Sequence, residues 1–262
     1  MSNQKKSPKK RFTYEGEHKQ KINQFHRQLL NWFEREGRDL PWRRTRDPYK
    51  ILISEIMLQQ TNVEIVIPIY NQFLIEFPTL QTLAQAPLKK VKSITDQLGY
   101  KRRGEYLHNI AKQIFFERKG EFPSSLEDLL KLKGIGRYTA GAILSFAYEK
   151  EDKTSAIVDV NVERVLGRVF GLWHWDKNAK FDKQIWELSE TLISIGNVWT
   201  TNQGILDLGA MICTAKKPKC SICPMTEICM FYETEVPKIA SLDSFFSLNT
   251  NTNPKKEKNT YS

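Results

Sequence analysis

The sequence predicts an all-α fold, and three observations predict it. Apolar residues recur at helical spacing almost throughout the span 20–235, no run alternates apolar and polar residues as a half-buried strand does, and Pro41, Pro78, Pro87, Pro123, Gly134 and Gly136 punctuate the helical segments. In chain order those segments are INQFHRQLLNWF, YKILISEIMLQQ, VIPIYNQFLIEF, LHNIAKQIFF, LEDLLKL, YTAGAILSFAY, NVERVLGRVFGL, QIWELSETLI and GILDLGAMI. Ser124-x-x-Glu127 offers a capping box for LEDLLKL. There is no internal repeat.

Composition narrows the class of function. The 262 residues carry 40 Lys+Arg against 30 Asp+Glu, a formal net charge of +10, with 40% apolar residues. This excludes a disordered or collagen-like chain over most of its length and leaves enough apolar mass for a core. No apolar run approaches the ~18 residues of a membrane span, and no apolar stretch follows the charged start MSNQKKSPKKRF. The protein is therefore expected in the cytoplasm, on the nucleoid, or in the nucleus of a eukaryote. Positive charge is concentrated in residues 1–20, read as a basic disordered arm, while the Ser/Asn/Thr/Lys-rich stretch 236–262 reads as a disordered tail with a local contact between Phe245 and Phe246. A solvated basic surface is the bland account of the charge; nucleic acid is the sharper one.

All four cysteines fall at Cys213, Cys220, Cys223 and Cys229, in the pattern C-x6-C-x2-C-x5-C. Thiols so closely spaced read as a metal site, not as a disulfide framework that staples distant loops. Zinc is open, although only Cys220 and Cys223 form the C-x2-C pair of a zinc ribbon; the uneven spacing suits a four-cysteine iron-sulfur cluster better.

Residues 126–148 read as a helix, a turn Gly134-Ile135-Gly136 and a second helix from near Tyr138. Glycines there permit positive φ, and the amides that open the second helix, beside Arg137, point outward with the positive end of its dipole toward any phosphate. A plain helix-hairpin linker is the competing account. Glu55 stands in a helix apolar nearly all round, where desolvation would raise its pKa and keep a proton for general-acid work. Asp159 precedes the helix of Val165 and Leu166, where an N-cap is the ordinary role; it could also stabilise a cationic sugar, with Asn161 and the Tyr138 hydroxyl to hold it. An acid and a carboxylate together are the logic of glycosidic hydrolysis through an oxocarbenium-like state.

Five ordered motifs, LPWRR (40–44), SEIMLQQT (54–61), LKGIGRYTAGAI (132–143), VDVNVERVLGR around Asp159, and NQGILDLGAMICTAKKPKCSICP (202–224), resemble the helix-hairpin-helix DNA glycosylases of the endonuclease III superfamily, most closely their adenine-glycosylase (MutY) branch, over about residues 25–232. The resemblance implies a two-lobed helical fold: a barrel at 45–146 with the hairpin at 126–148, and a lobe of 21–44 plus 147–235 that carries a [4Fe-4S] cluster on the four cysteines. It also implies a monomer on mismatched double-stranded DNA, with no membrane, and a target nucleotide flipped into the groove between the lobes.

Carried over onto this chain, Glu55 resembles the acid that protonates the purine and Asp159 the carboxylate facing the sugar cation, with Tyr138 and Asn161 beside them. Trp42, Arg43, Leu58 and Asp207 fall at base-pocket positions. Gln59, Gln60, Tyr100, Gly134, Gly136 and Arg137 fall at DNA-contacting ones, Gln60 filling the space left in the duplex. Tyr138 stands where the lyase branch has a nucleophilic Lys, so the resemblance implies a monofunctional enzyme that removes adenine opposite 8-oxoguanine or guanine. Lys101 replaces the second Tyr of the family's GLGYY, and the chain after the cysteines is too short for the domain that helps read 8-oxoguanine. These departures leave a thymine or uracil glycosylase for T:G and U:G mismatches as the alternative. A non-catalytic DNA-binding module is the rival of another class; phosphate binding would give it no use for desolvated carboxylates.

Overall fold

The computed structural model describes residues 17–99, 101–172 and 179–236. Every regular element among them is helical, as expected. The chain opens with α1 (Glu17–Glu36), which buries Ile22, Phe25, Leu29, Trp32 and Phe33 along one face. Its start lies inside the stretch 1–20 read as an arm. The remainder of that arm, and the tail with Phe245 and Phe246, lie outside the described residues.

A 3-10 turn at Pro41–Arg43 leads to α2 (Pro48–Leu58), started by an Asp47 cap that accepts the Tyr49 N–H at 2.9 Å and by Pro48 at its first position. Every residue of α2 from Ile51 to Met57 is buried, so this helix forms the floor of the fold. Next come α3 (Val63–Glu76), α4 (Leu80–Gln85), α5 (Leu88–Thr95) and α6 (Arg103–Lys112), the last running into a π turn at Gln113–Glu117. The apolar spacing did not mark out α4 and α5. They are too short to repeat a helical period, and they are set by local chemistry: a Thr79/Thr82 capping box for α4 and Pro87 as the cap of α5.

The hairpin is α7 (Leu126–Leu130), a turn through Gly136, and α8 (Arg137–Phe146). The cap of α7 is Ser125, not Ser124: Ser125 Oγ accepts the Asp128 N–H at 3.1 Å and donates to Asp128 Oδ2 at 3.0 Å. That register buries Leu129 and leaves Glu127 outside to pair with Lys131. The turn is longer than three residues because α7 stops at Leu130; of its two glycines only Gly134 needs positive φ, at 106°, while Gly136 is extended.

The second half comprises α9 (Val160–Phe170), α10 (Ala179–Ile193), α11 (Val198–Asp207) with a π turn at Leu208–Ile212, and α12 (Met230–Thr234). Helix α11 lies along α1, α2 packs on α3, α6 and α8, and α9 packs on α10, α11 and α12. One apolar core runs continuously from Ile22 to Met225. No helix of the described residues is long and apolar enough to cross a membrane.

Candidate active site and cluster site

Separate segments converge on one cleft of about 810 Å³: the stretch from Arg38 to Arg43, α2 with the turn Leu58–Thr61 and the start of α3 that follow it, the start of α8, Val158–Asn161 at the start of α9, and α11 with its π turn through Gln203, Leu206 and Ala210. Glu55, Tyr138, Asp159, Asn161, Trp42, Arg43, Leu58, Gln59 and Gln60 all line it. Helix α8 approaches the segment carrying Asp159 so closely that a Cβ on Gly141 would stand 2.4 Å from the Ala156 carbonyl. This is a position only glycine fits.

Glu55 is 5% exposed. Burial pushes its carboxyl up to about 7, the Asp159 charge adds to the rise, and a hydrogen bond from Tyr138 and the Arg43 charge oppose it. Tyr138, raised well above the ordinary phenol range by burial and by the Glu55 and Asp159 charges, stays a neutral donor. Asp159 is indeed the N-cap of α9: Oδ1 accepts the N–H groups of Asn161 at 2.9 Å and Val162 at 2.8 Å, while Oδ2 accepts Asn161 Nδ2 at 2.8 Å. The capping and charge-stabilising roles are compatible, since three donors hold the carboxylate at the cleft wall.

Arg43 lines the cleft over a buried carboxylate. Its guanidinium donates to both oxygens of Asp207 at 2.8 Å, to Gln203 Oε1 at 2.7 Å and to the Arg38 carbonyl at 2.7 Å. Asp207 is fully buried and does not line the cleft, so its expected pocket role becomes one of support. Burial raises its carboxyl, but the hydrogen bonds and charges of Arg43 and Arg38 outweigh that and hold it below the usual range. Trp42 is fixed edge-on against Tyr70, with ring centroids 5.3 Å apart. Arg38 and Gln203 also line the cleft, and the sequence reading missed both. Gln203 stands four residues before Asp207 on α11, a spacing that puts the two on one face.

The hairpin glycines and Arg137 are not part of the cleft. Arg137 pairs with Glu190 at 2.7 Å and lies 3.7 Å from the Trp186 ring centroid, while a Cβ at Gly136 would meet nothing within 4 Å. Tyr100 lies outside the described residues.

The four thiols are free and partly buried around a small apolar cavity walled by Val165, Val169, Leu208, Ile212 and Met225. Burial and the neighbouring thiols push Cys223 up to about 12 and raise Cys220 and Cys229, the response of soft donors turned toward one another in a dry pocket. Among the described residues no three His, Cys, Asp or Glu side chains are placed to hold one ion. Four thiols lining one apolar cavity are a donor set that suits a polynuclear iron-sulfur group. When bound, such a group would cross-link the segment 213–229 and hold it on α9.

That segment is tied to the cleft. Arg164 donates to the Cys213 carbonyl at 2.7 Å, to the Gly209 carbonyl at 2.8 Å and to Asn161 Oδ1 at 2.7 Å, and Asn161 in turn donates to Asp159. The sequence reading missed Arg164, although its place three residues after Asn161 puts both on one face of α9.

Comparison with known proteins agrees with this geometry. Residues 53–191 match the model of the HhH-GPD superfamily base excision DNA repair proteins, and residues 213–229 match the iron-sulfur binding domain of endonuclease III. The chain is 41% identical over 210 residues to an adenine DNA glycosylase of Buchnera aphidicola subsp. Schizaphis graminum, matching 80% of this chain and 60% of that one. It thus spans less than two thirds of that relative's length. A thymine/uracil-DNA glycosylase of Methanothermobacter thermautotrophicus is 35% identical over 206 residues, matching 78% of this chain and 91% of that one. The solved structure of a thermostable thymine-DNA glycosylase superposes with a TM-score of 0.74 at 32% identity, covering 83% of this chain and 99% of that one. With the cleft, the hairpin and the four-thiol pocket in one helical frame, the chain belongs to the HhH-GPD superfamily of base excision DNA repair proteins and carries the [4Fe-4S] domain of endonuclease III.

Proposed function

We propose that this protein is a monofunctional DNA N-glycosylase acting as a monomer on mismatched duplex, and that it removes adenine opposite 8-oxoguanine or guanine. The duplex lies across the groove between a lobe of residues 45–146 and a lobe of 21–44 plus 147–235. The observation that carries the reading is the buried Glu55, held near neutrality beside Tyr138 and facing Asp159 across the cleft. Protonated Glu55 donates to N7 of a flipped adenine, which weakens the glycosidic bond. Asp159, positioned by three donors, faces the oxocarbenium-like sugar, and water completes the hydrolysis. A tyrosine at 138 leaves no amine there for a Schiff base, so the product is an intact abasic site.

A second reading, a thymine or uracil glycosylase, draws support from the match to the thymine/uracil relative over 91% of that relative's length. Chemistry favours adenine: its N7 can take the Glu55 proton before the glycosidic bond breaks, whereas thymine has no N7. The test is single-turnover release from A:8-oxoguanine, A:G, A:C, A:T, T:G and U:G duplexes at one salt concentration. Adenine is expected to leave fastest. Faster release of thymine or uracil opposite guanine would replace this reading with the second.

A further inference from the structure

Arg103 is the largest of the fully buried side chains, yet it is a cation, and its guanidinium joins the end of α2 and the cleft-lining turn that follows it to the turn at Leu98. Nε donates to the Ile56 carbonyl at 3.1 Å, Nη1 to the Leu98 carbonyl at 2.9 Å, and Nη2 to both the Gln59 carbonyl and Thr61 Oγ1, the latter at 2.6 Å. Thr61 Oγ1 closes the loop by reaching the Leu98 carbonyl at 3.3 Å. Ile56 lies in the last turn of α2, where carbonyls lack helical partners. Gln59 and Thr61 flank Gln60, whose φ of 56° is left-handed and strained for a residue with a side chain. Leu98 precedes Gly99, also at positive φ. A Cβ on Gly104 would come within 2.5 Å of Thr95 Oγ1, so the start of α6, which carries Arg103, is seated directly on α5.

Left to itself, a four-residue turn with a strained glutamine at its tip would sample many conformations. A planar fork of donors fixes it where a single ammonium could not. We infer that Arg103 is a positioning residue that holds the Gln59–Thr61 turn and the Leu98–Gly99 turn as one rigid wedge, so that Gln60 enters the duplex without the cost of ordering its loop. The inference rests on the proposed reading of the cleft as a base-flipping site. It makes Arg103 and Thr61 determinants of nucleotide extrusion, not of bond cleavage.

The test reads extrusion without chemistry. In an Asp159→Asn background, 2-aminopurine is placed beside the mismatch in A:8-oxoguanine and T:G duplexes, so that unstacking raises its fluorescence whichever base is flipped. Thr61→Val removes one member of the clamp and keeps the fold; Arg103→Gln removes the fork, and Arg103→Lys keeps only the charge. At saturating protein, Thr61→Val and Arg103→Gln should lower the fluorescence rise about fivefold, Arg103→Lys should not restore it, and affinity for undamaged duplex should change less than twofold. In the otherwise native protein, Thr61→Val should slow release of a paired target base about tenfold and of a base in an unpaired bulge less than twofold. An unchanged fluorescence rise in Thr61→Val, no rise with the parent protein, or equal slowing on paired and bulged targets would overturn the inference. Unstacking by the Asp159→Asn protein together with no base release by the native protein would overturn the glycosylase reading and leave the wedge standing.

Discussion

At the scale of single residues the cleft is organised around one proton. Glu55 titrates near 4.5 when unfolded and near 7 when folded, burial being the main cause, so the folded protein binds more protons between those values. The sign follows: the contribution of Glu55 to stability is greatest below pH 4.5, falls as pH rises toward 7 and is level above. The shift corresponds to about 3 kcal/mol of stability given up at pH 8. Glu55→Gln should therefore raise Tm by roughly 6–12 °C at pH 8 and leave it nearly unchanged at pH 4.5, which calorimetry at the two pH values checks. The same substitution should slow adenine release by about a thousandfold while undamaged duplex binds as before, because general-acid catalysis is lost and phosphate contacts are kept. In the native protein the single-turnover rate should fall about tenfold per pH unit above 7. A flat profile from pH 6 to 9 would remove Glu55 from the acid role.

At the scale of elements, two helix starts meet at the cleft. Asp159 both caps α9 and faces the cleft, so its two roles separate by substitution. Asn also caps well, so Asp159→Asn should abolish base release with little change in Tm, whereas Asp159→Ala should cost about 1 kcal/mol of stability as well. At the start of α8, Tyr138→Lys should give a covalent complex trapped by borohydride and a broken strand, where the native protein gives an abasic site that breaks only in hot alkali. Helix α9 also joins the cluster pocket to the cleft through Arg164. Arg164→Gln should lower base release about tenfold and hasten proteolysis near residues 214–219, both measured on the same preparation. Unchanged release with faster proteolysis would confine Arg164 to the loop.

At the scale of the whole molecule, the four thiols must be read together with the core they sit on. Protein purified under mild conditions should be yellow-brown, with about four iron and four sulfide per chain. Stoichiometric zinc without sulfide, from an iron-replete host, would contradict the iron-sulfur assignment. Cys220→Ser should loosen the Lys216–Lys219 loop and weaken duplex binding several-fold, measured by anisotropy at fixed salt. The formal charge of +10 would supply the attraction to phosphate on which this expectation rests.

The all-helical class, the cysteine ligands, the hairpin, the buried position of Glu55 and the cap position of Asp159 were legible in the sequence, because each is written as a local period or a short spacing: an apolar helix interrupted by one carboxylate, a cap position before Val165, four thiols in one stretch. The short helices α4 and α5 and the Ser125 cap were not, since one or two turns carry no period and the register of α7 follows Leu129. Only the tertiary structure decided that Asp207 lies beneath Arg43 instead of facing the cleft, that Arg164 links the cluster segment to Asn161, and that Arg103 is buried as a clamp between two turns. The physical reason is common to all three. A guanidinium goes inside only where carbonyls and carboxylates from distant segments meet its fork of donors, and that meeting is a property of the packed chain that no local spacing records.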